Sequence, residues 1–225
     1  MRLKAGSCRW QAVLFDLDGT LLDTAPDFVT ATRLLLERKG KPLLDEAVIR
    51  NAVTHGSRGI IEKVFQLAPN DENIEPLRLE LVDIYFDHLH RLTRPFPGIP
   101  DILNQLQQQG IPWGIVTNKP SRYTDAIIER LPFAYPPAAV VCPDHVTDTK
   151  PHPEAIYLAC EWLNINPENA IYVGDHLRDI QAGKAAGSAT VAAAYGYIDK
   201  DEDPTSWQAD YLIHSAAELA DILFK

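Results

Sequence analysis

The chain has 225 residues, with 21 Lys or Arg against 31 Asp or Glu, a formal net charge of −10. Its 46% hydrophobic and 23% charged content is that of a globular chain, outside the disordered class. The acidic balance excludes a protein that grips nucleic acid or anionic lipid by charge, though not one that takes a small phosphorylated ligand at a local cation or metal.

The first eleven residues mix Arg2, Lys4 and Arg9 with Ala, Gly and Trp and lack the apolar centre of a signal peptide. No run approaches the ~18 apolar residues that span a bilayer, so no membrane contact is expected and the cytoplasm is the default location. Ala12 to Phe15 is a short apolar run that predicts a strand. Pro26 to Arg94 then reads almost wholly as helix, over Phe28–Arg38, Asp45–Ala52, Arg58–Phe65 and Ile74–Arg91. Pro95-Phe96-Pro97-Gly98 marks a return linker. Beyond it, apolar runs at Trp113–Val116, Ala139–Val141, Ala170–Val173, Thr190–Ala193 and Tyr211–Ile213 alternate with helical patterns. Those helices are expected at Ile102–Gln109, Tyr123–Leu131, Glu154–Leu163, Asp179–Ala186 and Ala216–Phe224.

Continuous short apolar runs suit strands buried on both faces, as in parallel sheets. The fold class is therefore α/β, a doubly wound, mainly parallel sheet with a Rossmann-like core and an inserted helical cap domain. The expected division is a core of residues 1–25 and 95–225 and a cap of residues 26–94. Cys8, Cys142 and Cys160 are odd in number and lack paired spacing, so they read as reduced core thiols.

The chemistry gathers at the predicted strand ends, where open α/β sheets bind ligands. Asp16-Leu17-Asp18-Gly19-Thr20 follows the first strand and offers two carboxylates at a turn. A calcium loop would place its Gly at the sixth position and a Glu at the twelfth; neither is present. Thr117 and Asn118 close the second core strand with a hydroxyl, an amide and backbone N–H groups suited to phosphate oxygens. Lys150-Pro151 follows the third, and Gly174-Asp175-His176-Leu177-Arg178-Asp179 closes the fourth. Asp16, Asp18 and Asp175 form an all-oxygen set that suits Mg²⁺. Asp179 can also be the cap of its helix, and His176 and His152 read as rim positions. In the helical stretch, Thr54-His55-Gly56-Ser57-Arg58-Gly59 is a glycine-flanked break between helices with an exposed-looking His and Arg.

These motifs, in this order, resemble the haloacid dehalogenase superfamily of phosphatases along the whole chain: DxDGT at Asp16–Thr20, then Thr117, Lys150, and GDxxxD at Gly174–Asp179. The helical insertion is similar to the family's type 1 cap. The segments VTNKP (116–120), KPHP (150–153) and Tyr195-Gly196-Tyr197 resemble the phosphoglycolate phosphatase branch. Residues 142–146 and 204–210 are similar to N-acetylmuramic acid 6-phosphate phosphatases.

The resemblance implies a Mg²⁺-dependent phosphomonoesterase acting on a small phosphorylated metabolite through an aspartyl-phosphate. Asp16 would be the nucleophile and Asp18 the acid and base. Thr117 and Asn118 would hold phosphate oxygens, Lys150 would supply fixed positive charge, and Asp179 would support it. The metal would be held by Asp16, the carbonyl of Asp18, and Asp175, with His55 and Arg58 meeting substrate from the cap. N-acetylmuramic acid 6-phosphate leads as substrate over 2-phosphoglycolate. A phosphosugar mutase of the same fold and a non-enzymatic binding module rank behind both. Asp18 itself argues for a phosphatase, since the family's dehalogenases lack that second acid.

Overall fold

The computed structural model describes residues 9–131 and 133–224. The chain divides into two compact units, residues 1–22 with 95–225, and residues 23–94. Cys8 lies outside the described residues, while Cys142 and Cys160 are buried free thiols.

The first unit is built on a six-stranded sheet: β1 (Ala12–Phe15), β2 (Trp113–Val116), β3 (Ala139–Val141), β4 (Ala170–Gly174), β5 (Ala189–Ala193) and β6 (Tyr211–Ile213). Every pairing is parallel and the order is β3-β2-β1-β4-β5-β6. In register, Phe15 stands opposite Ile115 on one side and Val173 on the other. All four residues of β1 are fully buried, which explains the unbroken apolar run in the sequence. Full burial of Leu14 and Phe15 stabilises the strand by ~1.5–3 kcal/mol each, so the residue that follows leaves the sheet at a fixed place.

The helices of this unit are α5 (Ile99–Gln109), α6 (Ser121–Arg130), α7 (Glu154–Leu163), α8 (Leu177–Ala186) and α9 (Leu219–Leu223). Four helices depart from the expected bounds: α5 begins at Ile99 and not Ile102, α6 spans Ser121–Arg130 and not Tyr123–Leu131, and α9 and α8 also differ. The predicted Ala216–Phe224 helix opens as a 3₁₀ turn over Ala216–Glu218, where the Glu218 carboxylate accepts from the His214 N–H at 3.3 Å and the Ser215 hydroxyl at 3.0 Å. α8 starts two residues before Asp179, with His176 as its cap.

The chain winds outward from β1 to β3, then resumes at β4 on the other side of β1. This reversal makes the crevice beyond the carboxyl ends of β1 and β4 the place where such sheets bind ligands.

The second unit is helical: α1 (Ala25–Arg38), α2 (Glu46–Ala52), α3 (Gly56–Phe65) and α4 (Ile74–His88). α1 begins with Pro26 in its first turn, and α2 is capped by Asp45, whose carboxylate accepts from the Ala47 N–H at 2.8 Å. α1 packs on α4 through a parallel stack of Phe28 on Tyr85, with centroids 3.8 Å apart. The fully buried Asp27 ties down the far end of the unit, accepting from the N–H groups of Leu92 and Thr93 and from the Thr93 hydroxyl. α4 stops at His88 instead of running to Arg91, because Leu89 turns out of the helix with ψ +136° and His90 then takes a left-handed conformation with φ +72°. Among the described residues no helix is long and apolar enough to cross a membrane.

Candidate active site

Asp16 leaves β1 with its N–H still donating to the Val173 carbonyl of β4, so it enters the crevice anchored by the sheet. Its Oδ1 lies 2.9 Å from Lys150 Nζ. That ammonium is buried and is also 2.7 Å from Asp179 Oδ1, and it donates to the Val116 carbonyl at 3.1 Å and the Tyr172 hydroxyl at 2.9 Å. The Tyr172 hydroxyl donates to the same Val116 carbonyl at 2.8 Å. Lys150 therefore bridges β2, β4 and the start of α8, and holds a positive charge against Asp16.

Asn118 fixes where this lysine comes from. Its amide forms a reciprocal pair with the Lys150 backbone, Nδ2 donating to the carbonyl at 3.1 Å and Oδ1 accepting from the N–H at 3.2 Å. Thr117 sits between, with its N–H on the Val141 carbonyl.

Asp179 does two jobs. Oδ1 faces Lys150, while Oδ2 accepts from the His176 N–H at 3.0 Å. The helix cap expected at Asp179 thus belongs to His176, whose Nδ1 accepts from the Arg178 N–H, and Asp179 is the reciprocal partner of that cap. The His176 ring also stacks on Trp207.

Asp175 is clamped on both oxygens: Thr20 Oγ1 donates to Oδ1 at 2.9 Å and the Tyr197 N–H to Oδ2 at 2.7 Å. The clamp depends on close approach. Gly19 has φ +85°, and a Cβ there would fall 2.0 Å from Asp175 Oδ2; a Cβ at Gly196 would meet the Gly19 carbonyl at 2.4 Å. The Tyr195 hydroxyl closes the same turn by donating to the Thr20 carbonyl.

The electrostatics follow from crowding. Burial pushes the Asp16 carboxyl up to about 6, against the lowering pull of Lys150, and Asp179 and Asp18 add to the rise. Burial, then Asp16 and Asp179, hold Asp175 well above the usual carboxylate range, although Tyr197 and Thr20 pull it down. Burial would lower the Lys150 ammonium, but Asp16 and Asp179 outweigh it and keep it above the ordinary lysine value.

Carboxylate oxygens of Asp16, Asp175 and Asp179 lie within 4.8 Å of one another, and the buried Asp16 Oδ1 has no hydrogen bond of good geometry although Lys150 stands beside it. An all-oxygen cluster in which Asp16 and Asp175 have raised proton affinity, with an unsatisfied oxygen on Asp16, is chemically fit for a hard divalent cation. The expected trio named the Asp18 carbonyl; the carboxylate that joins Asp16 and Asp175 in this cluster is that of Asp179. A second grouping, Asp148, His152 and Glu154, is exposed, and Glu154 is already engaged by the N–H groups of Thr147 and Asp148.

Asp18 stands in the loop after Asp16 with both oxygens near Lys119 Nζ, at 3.0 and 3.3 Å. Lys119, Thr20 and Tyr172 are not expected site residues, yet Lys119 and Thr20 bind acids of the site and Tyr172 holds Lys150. In the helical unit, His55 is exposed at the start of α3, and Arg58 is paired with Glu62 at 2.9 Å and with the Pro69 carbonyl.

Residues 13–193 match the model of the haloacid dehalogenase-like hydrolases. The chain is 45% identical over 215 residues to an N-acetylmuramic acid 6-phosphate phosphatase of Pseudomonas aeruginosa, covering 96% of this chain and 95% of the relative. It is 38% identical to a phosphoglycolate phosphatase of Xanthomonas campestris pv. campestris, covering 93% and 94%. In fold it superposes on the crystal structure of a predicted phosphoglycolate phosphatase from Haemophilus somnus with a TM-score of 0.83 and 23% identity, over 96% of this chain and 99% of that one.

Proposed function

The chain belongs to the haloacid dehalogenase-like hydrolase family, and from that premise we propose that it is a phosphomonoesterase that works through an aspartyl-phosphate on Asp16. The observation that carries the proposal is the fixed meeting of Asp16 with the buried Lys150 ammonium at the carboxyl end of the central strand. A nucleophilic carboxylate must approach an anionic phosphoryl group, and a cation anchored by Val116, Tyr172 and Asp179 offsets that repulsion without moving.

In the first half of the reaction, an Asp16 oxygen forms a bond to phosphorus, the ester P–O bond breaks, and Asp18 gives a proton to the leaving oxygen. In the second, water forms the new P–O bond, Asp18 takes its proton, and the Asp16–phosphorus bond breaks. Proton transfer of this kind contributes ~10²–10⁴ in rate. Thr117 and the Asn118 N–H would hold phosphoryl oxygens, and Asn118 also fixes Lys150. Mg²⁺ is the divalent ion that we assign to Asp16, Asp175 and the Asp18 carbonyl, with Asp179 in support, and it would neutralise charge on the transferring group.

Residues 26–94 take the role of the cap, and substrate choice is assigned there, with His55 and Arg58 as its candidate contacts. The identity of 45% to one phosphatase against 38% to the other favours N-acetylmuramic acid 6-phosphate as substrate, with 2-phosphoglycolate second. Steady-state phosphate release from both compounds, with and without Mg²⁺, decides between them. A higher kcat/KM for the amino-sugar phosphate is expected; a preference for phosphoglycolate would reverse the order. Absence of release from either compound would refute this substrate class.

A further inference from the structure

Lys119 is an unusual lysine. Its side chain is 6% exposed although it follows a strand end by three residues, and both Asp18 oxygens face its ammonium at 3.0 and 3.3 Å. Its backbone is fixed twice: its N–H donates to Thr117 Oγ1 at 3.2 Å and its carbonyl accepts from the fully buried Thr124 hydroxyl at 3.2 Å. Burying a lysine costs several kcal/mol unless a partner compensates, and here a functional carboxylate supplies that compensation. A surface lysine would have served solubility equally well.

We propose that Lys119 is a positioning residue for the second half of the reaction. It holds the Asp18 side chain in one orientation, the direction in which that group takes the proton from the water that attacks the aspartyl-phosphate. Lys119 itself touches neither the phosphoryl group nor the water. The inference rests on the reading of Asp16 as nucleophile and Asp18 as base.

The test uses the full chain with Mg²⁺ and p-nitrophenyl phosphate, whose phenolate leaves without needing a proton. Phosphorylation of Asp16 then stays fast when Asp18 is misplaced, and only hydrolysis slows. For K119M the expected result is a burst of about one p-nitrophenolate per site, followed by a steady rate lowered by about 10². KM should fall together with kcat, because the intermediate accumulates. K119Q, of different shape, guards against a packing defect peculiar to methionine, and D18N serves as the reference that should show the same burst. Equal loss of all rates without a burst in both cooperatively melting Lys119 variants, while D18N bursts, would overturn the inference and leave the reading of the site intact. No burst in D18N either would overturn that reading, and the inference with it.

Discussion

Replacing Lys150 with Met is expected to cost about 3–5 kcal/mol of stability, the range seen when one partner of a buried ion pair is removed. The methionine fills the lysine stem's space, so the loss isolates the charge. Asp179, fully buried, and Asp16, 13% exposed at its side chain, would both face an apolar neighbour in place of an ammonium. The hydroxyl of Tyr172 would lose one partner as well. For a chain of this size the deficit lowers the melting temperature by roughly 6–20 °C. The stranded carboxylates can relieve the penalty by taking protons, so the deficit should be larger at pH 8 than at pH 5. Activity should fall by more than the stability loss explains, because the phosphoryl group loses its fixed cation. Thermal melts at both pH values with phosphate-release assays check this, and a deficit below about 1 kcal/mol at pH 8 would mean that the lysine carries no such burden.

Asp16→Asn should do the opposite to stability while abolishing turnover. Without metal, Asp16 has a folded value of about 6 against an ordinary 3.8, a difference of ~3 kcal/mol between its protonation states. The sign follows from linkage. A carboxyl with a raised folded pKa binds more protons folded than unfolded between pH 3.8 and about 6, so the native state loses stability as pH rises through that window. Above about 6 the whole penalty is present. An amide carries no charge to bury beside Asp175 and Asp179, so the metal-free variant should be more stable than the parent at pH 8 by up to ~3 kcal/mol. The gain should shrink toward zero below pH 4. Loss of the contact to Lys150 subtracts from this, but the lysine keeps Asp179 at 2.7 Å. Melts in the presence of a chelator across pH 4–8 provide the check, and a variant less stable than the parent at pH 8 would contradict the crowding described above. Active sites commonly trade stability for chemistry in this way.

The parts legible in the sequence are those with local signatures. β1, β2 and β4 show as apolar runs because a parallel sheet covered on both faces needs every residue apolar. Asp16, Thr117 and Asp175 stand out because each follows such a run. What escapes depends on contacts distant in the chain. Tyr172 looks like another apolar strand residue, yet its hydroxyl reaches Val116, 56 residues away. Thr20 serves Asp175 across 155 residues, and Lys119 meets Asp18 across 101. No periodicity carries that information. The early end of α4 is local but hidden, since His90 is a non-glycine residue in a left-handed conformation. Arg58, a glycine-flanked arginine that suggests a ligand contact, is paired with Glu62 one turn along its own helix, a partner that the i,i+4 spacing also offers.

Every step of the proposed reaction depends on transfer of phosphorus to Asp16. That transfer is tested by mixing D18N with Mg²⁺ and ³²P-labelled p-nitrophenyl phosphate, whose phenolate leaves without a proton from residue 18, quenching in acid, and digesting the protein. With the base removed the intermediate should persist, so ³²P should be recovered on the peptide that contains Asp16, and reduction with borohydride should convert that residue to homoserine. Substrate that is consumed with no label on this peptide, or with label on any other, would contradict the account.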